Sequence, residues 1–145
     1  MEILTRSEQE TCDFANDFEQ KLKSNDIVLL QGDLGVGKSV FARALIRTLC
    51  SDETMEVPSP TFTLVQCYDG QQAKKPCRIW HFDLYRLSDP QEIYEIGWEE
   101  ALTDGIVLVE WPERLGALLP QNCIEITFQT MPDQPDHRTI RVEKT

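Results

Sequence analysis

The sequence predicts an α/β fold: a three-layer sandwich in which helices cover both faces of a mixed, mostly parallel sheet, with an antiparallel hairpin insertion. Two segments, residues 27–30 and 106–109, are apolar at every position, as are central parallel strands lying between two helical layers. Segments with apolar residues at helical spacing alternate with these strands, which is typical of α/β domains. The length of 145 residues fits one domain over residues 1–145.

The first half of the chain begins with a short apolar segment, residues 3–5, and a helix over residues 7–23. Ser7 and Glu10 have the Ser-x-x-Glu spacing of a capping box at the start of this helix. The strand over residues 27–30 follows. Residues 38–50 then predict a second helix with an apolar inner face.

The second half predicts the hairpin and the remaining helices and strands. Residues 61–68 and 77–85 are rich in β-forming residues and flank a polar connection, so we expect them to pair as an antiparallel hairpin. Asp89 and Pro90 mark the start of a helix that runs to about residue 102. The remaining predicted elements are a strand over 106–109, a short helix over 112–119, and strands over 124–128 and 139–142 joined by a loose connection.

The charge balance limits what the protein binds by itself. Its 14 Lys and Arg face 25 Asp and Glu, which gives a formal net charge of −11. Affinity for a nucleic-acid backbone comes mostly from Lys and Arg, so we expect any contact with RNA to be made by a partner. Residues 1–26 carry a net charge of −4 and residues 86–104 carry −5, and these acidic segments are candidate docking surfaces for basic partners.

Cysteine usage and hydropathy indicate a cytoplasmic protein. The five cysteines are odd in number, scattered and without a C-x-x-C pair, which favours reduced thiols over a disulfide partner or a zinc site. The first ten residues have no apolar run of the signal-peptide kind. No segment approaches the ~18 consecutive apolar residues of a transmembrane helix, so we expect no membrane contact.

The segment after the first buried strand carries the phosphate-binding motif G-x-x-x-x-G-K-[ST]. It reads Gly32-Asp33-Leu34-Gly35-Val36-Gly37-Lys38-Ser39, directly before a predicted helix. Glycines in such a P-loop allow successive N–H groups to turn inward, where they and the helix N-terminus cradle phosphate oxygens. We expect Lys38 to reach the β- and γ-phosphates of a nucleotide and Ser39 to ligate Mg²⁺. The alternative is a glycine-rich turn without a ligand.

Two carboxylates are candidates for holding the metal and placing the attacking water. Glu110 follows the strand over 106–109, so in a parallel sheet its side chain emerges at the edge where the P-loop lies. Asp83 lies near the end of the second hairpin strand, and strand alternation places it on the same face as Ile79 and His81. For each acid the alternative is a solvated strand end.

Weaker signals surround these candidates. Thr61 lies in the loop after the P-loop helix, where nucleotide switches keep a γ-phosphate-sensing Thr, although a plain strand start fits equally well. His81 is either a general base or, as we favour, a hydrogen-bonded structural residue. Trp111 either packs near the nucleotide or fills the core. Surface ion pairs are favoured over phosphate contacts for three arginines: Arg43, Arg47 and Arg86.

Five motifs together resemble the bacterial TsaE (YjeE) family in order and spacing, over residues 3–128. They are the P-loop, Ser-Pro-Thr-Phe-Thr-Leu-Val from Ser59, His-Phe-Asp-Leu-Tyr-Arg-Leu from His81, Asp-Pro-Gln-Glu from Asp89, and Val-Glu-Trp-Pro from Val109. The resemblance implies a small Mg²⁺-dependent P-loop ATPase that works with the proteins TsaD and TsaB in making threonylcarbamoyladenosine in tRNA. The partners perform the transfer chemistry, and ATP hydrolysis by the small subunit resets the assembly between turnovers.

The resemblance also implies roles for individual residues. The family's P-loop lysine falls on Lys38, its Mg²⁺-binding hydroxyl on Ser39 and its switch threonine on Thr61. Its acid of the His-x-Asp motif falls on Asp83, and its Glu-Trp pair falls on Glu110 and Trp111. Adenine contacts are expected partly from residues 8–11 and partly from the C-terminal stretch 129–145, which matches no family motif.

Three other functions remain open. A small-molecule kinase needs an acceptor pocket and an arginine-bearing lid, and the arginines here are isolated. A guanine-nucleotide switch needs an Asn-Lys-x-Asp element, which the sequence lacks. A scaffold that binds nucleotide without hydrolysing it fits the same motifs.

Overall fold

A computed structural model describes residues 1–145 and shows a seven-stranded sheet with helices on both faces. The strands are β1 (Glu2–Thr5), β2 (Ile27–Gln31), β3 (Val65–Gln72), β4 (Lys75–Asp83), β5 (Ile106–Glu110), β6 (Ile124–Met131) and β7 (Gln134–Lys144). The α-helices are α1 (Glu8–Phe18), α2 (Lys38–Leu49) and α3 (Trp98–Thr103), and 3₁₀ segments span Glu19–Lys21, Pro90–Ile96 and Pro112–Leu118.

The sheet is parallel in its centre and antiparallel at both edges, in the order β1-β7-β6-β2-β5-β4-β3. Strands β6, β2, β5 and β4 are mutually parallel, whereas β7 and β3 return antiparallel to their neighbours. β1 pairs antiparallel with β7, so five of the seven strands run in one direction. The predicted α/β fold class is therefore confirmed, and the carboxyl ends of the four central strands meet at one edge of the sheet.

Two cores lie on the two faces of the sheet. Helices α1 and α2 pack on one face, where Phe41 and Phe128 meet edge to face with ring centroids 5.7 Å apart. The 3₁₀ segments Pro90–Ile96 and Pro112–Leu118 and helix α3 pack on the other face around Phe82 and Trp98, whose ring centroids are 5.2 Å apart. Buried residues of β4 alternate between the cores, so Ile79 lies on the α1–α2 side and Phe82 on the opposite side, as predicted.

The structure corrects the prediction for the hairpin. The predicted connection over residues 69–76 lies largely within the paired strands, and the turn is only Ala73 and Lys74, with φ values of 51° and 67°. These left-handed residues form the tight turn that two-residue hairpins need. β3 begins at Val65 rather than at residue 61, because the backbone from Pro60 to Leu64 forms turns.

The predicted helices are shorter than expected. α1 ends at Phe18, and a 3₁₀ turn continues it to Lys21. The helix expected over residues 88–102 is broken at Gly97, whose φ of 92° ends the 3₁₀ segment and begins α3. The predicted helix over 112–119 is a 3₁₀ segment kinked at Gly116.

The C-terminal strands are longer than predicted. β6 and β7 form a hairpin whose turn is only two residues, because pairing extends to Met131 and Gln134. All five cysteines are free thiols. None of the helices combines the length and the apolar character that crossing a membrane requires.

Candidate functional site

The P-loop connects the end of β2 to the start of α2. Gly32 has a φ of 144°, and a Cβ there would lie 2.7 Å from the Phe128 carbonyl oxygen and 2.7 Å from Val36 Cγ2. Gly37, the residue before α2, has a φ of 108°. Because side-chain-bearing residues rarely adopt these angles, the motif's glycines are required by the path of the loop.

The backbone of this loop presents a row of donors. No N–H group from Asp33 to Val40 has a hydrogen-bond acceptor within the protein. Lys38, Ser39 and Val40 are the first turn of α2, where the helix macrodipole also favours negative charge. The loop and the helix start are therefore suited to bind an anion with several oxygens, as phosphate groups have.

Lys38 lies with its ammonium group inside the site. The residue is 4% exposed; its Nζ donates to the Gly32 carbonyl oxygen and lies 3.4 Å from the Trp111 ring centroid. Burial lowers the pKa of Lys38, and the nearby carboxylates of Glu110 and Glu113 oppose that shift. A phosphate at the loop would replace the Gly32 carbonyl as the acceptor of this cation.

Glu110 is a buried carboxylate at the carboxyl end of β5. It is 2% exposed, and its Oε1 accepts a hydrogen bond from Ser39 Oγ at 3.2 Å. Its Oε2 lies 2.7 Å from Nε2 of His81, which is 1% exposed. His81 Nδ1 is buried without a partner, which favours the tautomer in which Nε2 carries the proton and donates to Glu110.

Asp83 is the neighbour of Glu110 in the sheet, since the two residues are register partners on β4 and β5. Its Oδ2 accepts from Thr61 Oγ1 at 3.0 Å, and its Oδ1 accepts from the Tyr85 backbone N–H at 3.0 Å. Thr61 lies in a turn, so the plain strand start is wrong for this residue. The Thr61 hydroxyl links the loop before β3 directly to this carboxylate.

These residues line one cavity of about 600 Å³ at the P-loop edge of the sheet. Its walls contain Lys38, Ser39, Thr61, Asp83, Glu110 and Trp111 together with Leu34, Gly35 and Gly37. The Trp111 ring packs against the Tyr85 ring at an interplanar angle of 51°, with centroids 4.9 Å apart, beside Lys38. Glu110 and Asp83 are thus not solvated strand ends, and Trp111 lines the cavity in addition to packing against the core.

Other segments of the cavity wall come from the two ends of the chain. The first turn of α1 contributes Ser7, Glu8 and Thr11, and β7 contributes Asp136 and Arg138. No sequence motif pointed to Arg138, because its position depends on how β7 pairs with β1 and β6.

The three arginines considered from the sequence lie outside the cavity wall. The expected ion pairs are absent. The Arg86 Cζ atom lies 4.3 Å from the Phe62 ring centroid, and Arg47 Nε donates to the Met55 carbonyl. Arg43 has no carboxylate within 4.0 Å.

The oxygen donors near the P-loop fit a hard divalent cation. No group of three or more His, Cys, Asp or Glu side chains is arranged to hold a metal by itself. Mg²⁺ does not require such a cage, because it binds through one or two carboxylates, water and substrate phosphates. The Ser39 hydroxyl with the carboxylates of Glu110 and Asp83 provides a donor set of this kind.

Comparisons with known proteins agree on one family. The family model for the threonylcarbamoyl adenosine biosynthesis protein TsaE matches residues 5–140. The tRNA threonylcarbamoyladenosine biosynthesis protein TsaE of Rickettsia bellii is 47% identical over 133 residues, covering 91% of this chain and 88% of the relative. The TsaE protein of Treponema pallidum is 32% identical, with coverages of 92% and 94%. The crystal structure of YdiB from Bacillus subtilis is similar with a TM-score of 0.73 at 27% identity, covering 97% of this chain and 82% of that one.

Proposed function

This chain belongs to the TsaE family of threonylcarbamoyl adenosine biosynthesis proteins, and from that premise we propose that it serves the pathway as a Mg²⁺-dependent ATPase. The observation that carries the proposal is the pairing of Ser39 with Glu110 beside an unpartnered row of P-loop N–H groups. The Ser39–Glu110 pair fits a metal ion, and the P-loop N–H groups fit the phosphates bound to that ion.

The P-loop binds the phosphates of ATP in this proposal. Backbone N–H groups from Leu34 to Ser39 donate to the phosphate oxygens, and Lys38 moves from the Gly32 carbonyl to the β- and γ-phosphates. Because the Lys38 side chain is buried, its attraction for the transferring phosphoryl group is stronger than in bulk water.

The carboxylates hold the metal and orient the water. Ser39, Glu110 and Asp83 would supply protein oxygens to Mg²⁺, directly or through water. When bound, Mg²⁺ neutralises negative charge on the phosphate oxygens. Glu110 or Asp83 accepts a hydrogen bond from the attacking water and aligns it with the γ-phosphate. Thr61 connects Asp83 to the loop before β3, so this loop is placed to respond to the γ-phosphate.

Nucleotide binding and hydrolysis by single variants test these assignments. Lys38→Ala is expected to abolish turnover and weaken ATP binding, whereas Glu110→Gln is expected to lower turnover about a hundredfold or more while ATP still binds. Arg43→Ala, outside the cavity, is the matched control for loss of a cation. Full turnover by both Lys38→Ala and Glu110→Gln proteins would contradict the proposal. Phosphorylation of a metabolite in place of water would identify a kinase instead.

We propose TsaD and TsaB as the protein partners, with tRNA contacted only through them. The acidic segment 86–104, which includes the half-buried Glu92 and the exposed Glu95 and Glu99, is the candidate docking surface for a basic region of a partner. Reversal of these three charges to Lys is expected to weaken association with TsaD and TsaB in a pull-down or titration while ATP binding stays unchanged. Undiminished association of that variant would exclude this surface.

Repeated turnover distinguishes a hydrolysing subunit from a nucleotide-dependent scaffold. If hydrolysis resets the assembly, a non-hydrolysable ATP analogue supports one round of tRNA modification and then stops. Equal support by ATP and the analogue over many rounds would favour the scaffold.

A further inference from the structure

Arg138 on β7 is hydrogen-bonded to the phosphate-binding loop, more than a hundred positions earlier in the chain. Its Nε donates to the Val36 carbonyl at 3.0 Å, and its Nη2 lies 3.4 Å from the Gly35 carbonyl. Its Nη1 donates to the carbonyls of Pro135 and His137 near the start of its own strand. The guanidinium therefore connects two consecutive peptide groups of the loop to the edge of the sheet.

The planarity of the peptide bond gives these two contacts a consequence for the opposite side of the loop. In a trans peptide the carbonyl of one residue and the N–H of the next point in roughly opposite directions. When Arg138 holds the Gly35 carbonyl, the Val36 N–H points away from Arg138. The contact with the Val36 carbonyl fixes the Gly37 N–H in the same way.

We propose that Arg138 is a positioning residue that orients the N–H groups of Val36 and Gly37 for phosphate binding. This inference rests on the proposed function, because it assumes that the loop binds a polyphosphate. Neither N–H group has an acceptor in the protein, so both are available to the ligand. Gly35 and Gly37 make the loop flexible. A clamp, that is, a contact that orders the loop beforehand, therefore reduces the entropic cost of phosphate binding.

The chemistry of arginine suits this task. A guanidinium presents several N–H donors in one rigid plane, so it can contact adjacent carbonyls simultaneously, whereas a lysine ammonium is a single flexible point charge. Arg138 has no carboxylate within 4.0 Å, although the chain contains 25 acids, so its donors are directed to backbone carbonyls.

The fold anchors Arg138 on both sides. In the register of the sheet it pairs with Thr5 of β1 and Thr130 of β6. Two residues earlier on β6, the Phe128 carbonyl lies against Gly32 at the start of the loop. Strands β6 and β7 thus support the loop at its first glycine and at its centre.

Binding of three probes tests the proposal with full-length protein. Arg138→Ala is expected to weaken binding of Mg-ATP and of inorganic tripolyphosphate about tenfold to a hundredfold, since both ligands use the N–H groups of the loop. Adenosine binding is expected to be unchanged. Arg138→Lys is expected to restore only a small part of the affinity, because it keeps the charge but not the two-carbonyl contact.

Arg141→Ala is the matched control, because Arg141 lies on the same strand but pairs with Glu2 and Glu143 on the surface. This variant is expected to bind all three probes as the unmodified protein does. Full recovery by Arg138→Lys would show that only charge matters, and an equal loss for adenosine would place Arg138 on the nucleoside; either result overturns the proposal.

A ligand-free measurement separates this inference from the proposed function. NMR order parameters of the Val36 and Gly37 amides are expected to be about 0.85 in the unmodified protein and below ~0.6 in Arg138→Ala, with the rest of the backbone unchanged. Unaltered order parameters would overturn the clamp even if ATP binds. If the clamp is observed but neither ATP nor tripolyphosphate binds, the proposed ATPase function and the phosphate-binding role both fail, while the loop contact itself stands.

Discussion

Replacement of His81 tests how the buried acid of the site is held. The His81 Nε2 lies 2.7 Å from Glu110 Oε2, and both residues are nearly inaccessible to solvent. In His81→Leu this donor is lost and Glu110 keeps only the Ser39 hydroxyl, at 3.2 Å. In His81→Gln an amide N–H₂ group at similar reach can replace the imidazole donor.

The geometry gives the expected magnitudes. A hydrogen bond to a charged group contributes about 1.5–3 kcal/mol, so His81→Leu is expected to lower the unfolding free energy by about 2–3 kcal/mol. For a chain of this length the loss lowers Tm by roughly 4–12 °C. Because Glu110 is no longer oriented, ATP turnover at saturation is expected to fall on the order of a hundredfold. His81→Gln is expected to retain turnover within about tenfold.

Thermal unfolding and ATP turnover, measured on the same samples, separate orientation from stability. Ile93→Ala is the matched control, because Ile93 is fully buried in the opposite core and its truncation costs about 2–5 kcal/mol. This control is expected to lower Tm without the loss of turnover. Two results would show that Glu110 does not depend on His81 for its orientation. One is full turnover by His81→Leu, and the other is a loss of turnover in Ile93→Ala as large as that in His81→Leu, at the same temperature below its Tm.

Three further predictions concern stability. Gly105→Ala is expected to cost more than about 3 kcal/mol in urea unfolding, because a Cβ would lie 2.0 Å from the Arg78 carbonyl oxygen at a φ of 116°. Asp89→Ala removes a capping box shared with Glu92 and is expected to cost about 1 kcal/mol by the same measurement. Burial raises the pKa of Cys123 to about 11, so its protonated thiol contributes stability below pH 9 that is lost as the pH rises to about 11. Between these pH values, the decrease in the free energy of unfolding is expected to be about 2–3 kcal/mol smaller in Cys123→Ala than in the unmodified protein.

Much of the fold could be predicted because the buried strands are unambiguous in sequence. Residues 27–30 of β2 and 106–109 of β5 are apolar at every position, which is typical of central strands covered on both faces. The predicted boundaries fail where single residues adopt unusual backbone angles. Gly97 interrupts a helical pattern, and Ala73 and Lys74 turn the chain in a hairpin without the Asn-Gly or Gly-Gly pair that marks such turns.

The site residues could be predicted where the sheet topology determines which parts of the sequence lie close together. Parallel strands place their carboxyl ends at one edge, so Asp83 and Glu110 could be expected beside the P-loop, and they are register partners there. The bond between His81 and Glu110 was harder to predict, because it depends on side-chain direction across two adjacent strands. The position of a histidine within one strand does not show which residue of the neighbouring strand its side chain will contact.

Arg138 was missed for a topological reason. A search for site residues at the carboxyl ends of parallel strands overlooks the beginning of an antiparallel strand. β7 starts at the edge where β6 ends, because a two-residue turn joins them, and its early residues therefore face the P-loop. β1 ends at the same edge, with Thr5 paired to Arg138, and this pairing brings the first turn of α1 into the cavity wall. In a mixed sheet, the ends of parallel strands and the starts of antiparallel strands meet at the same edge, and both contribute residues to a site there.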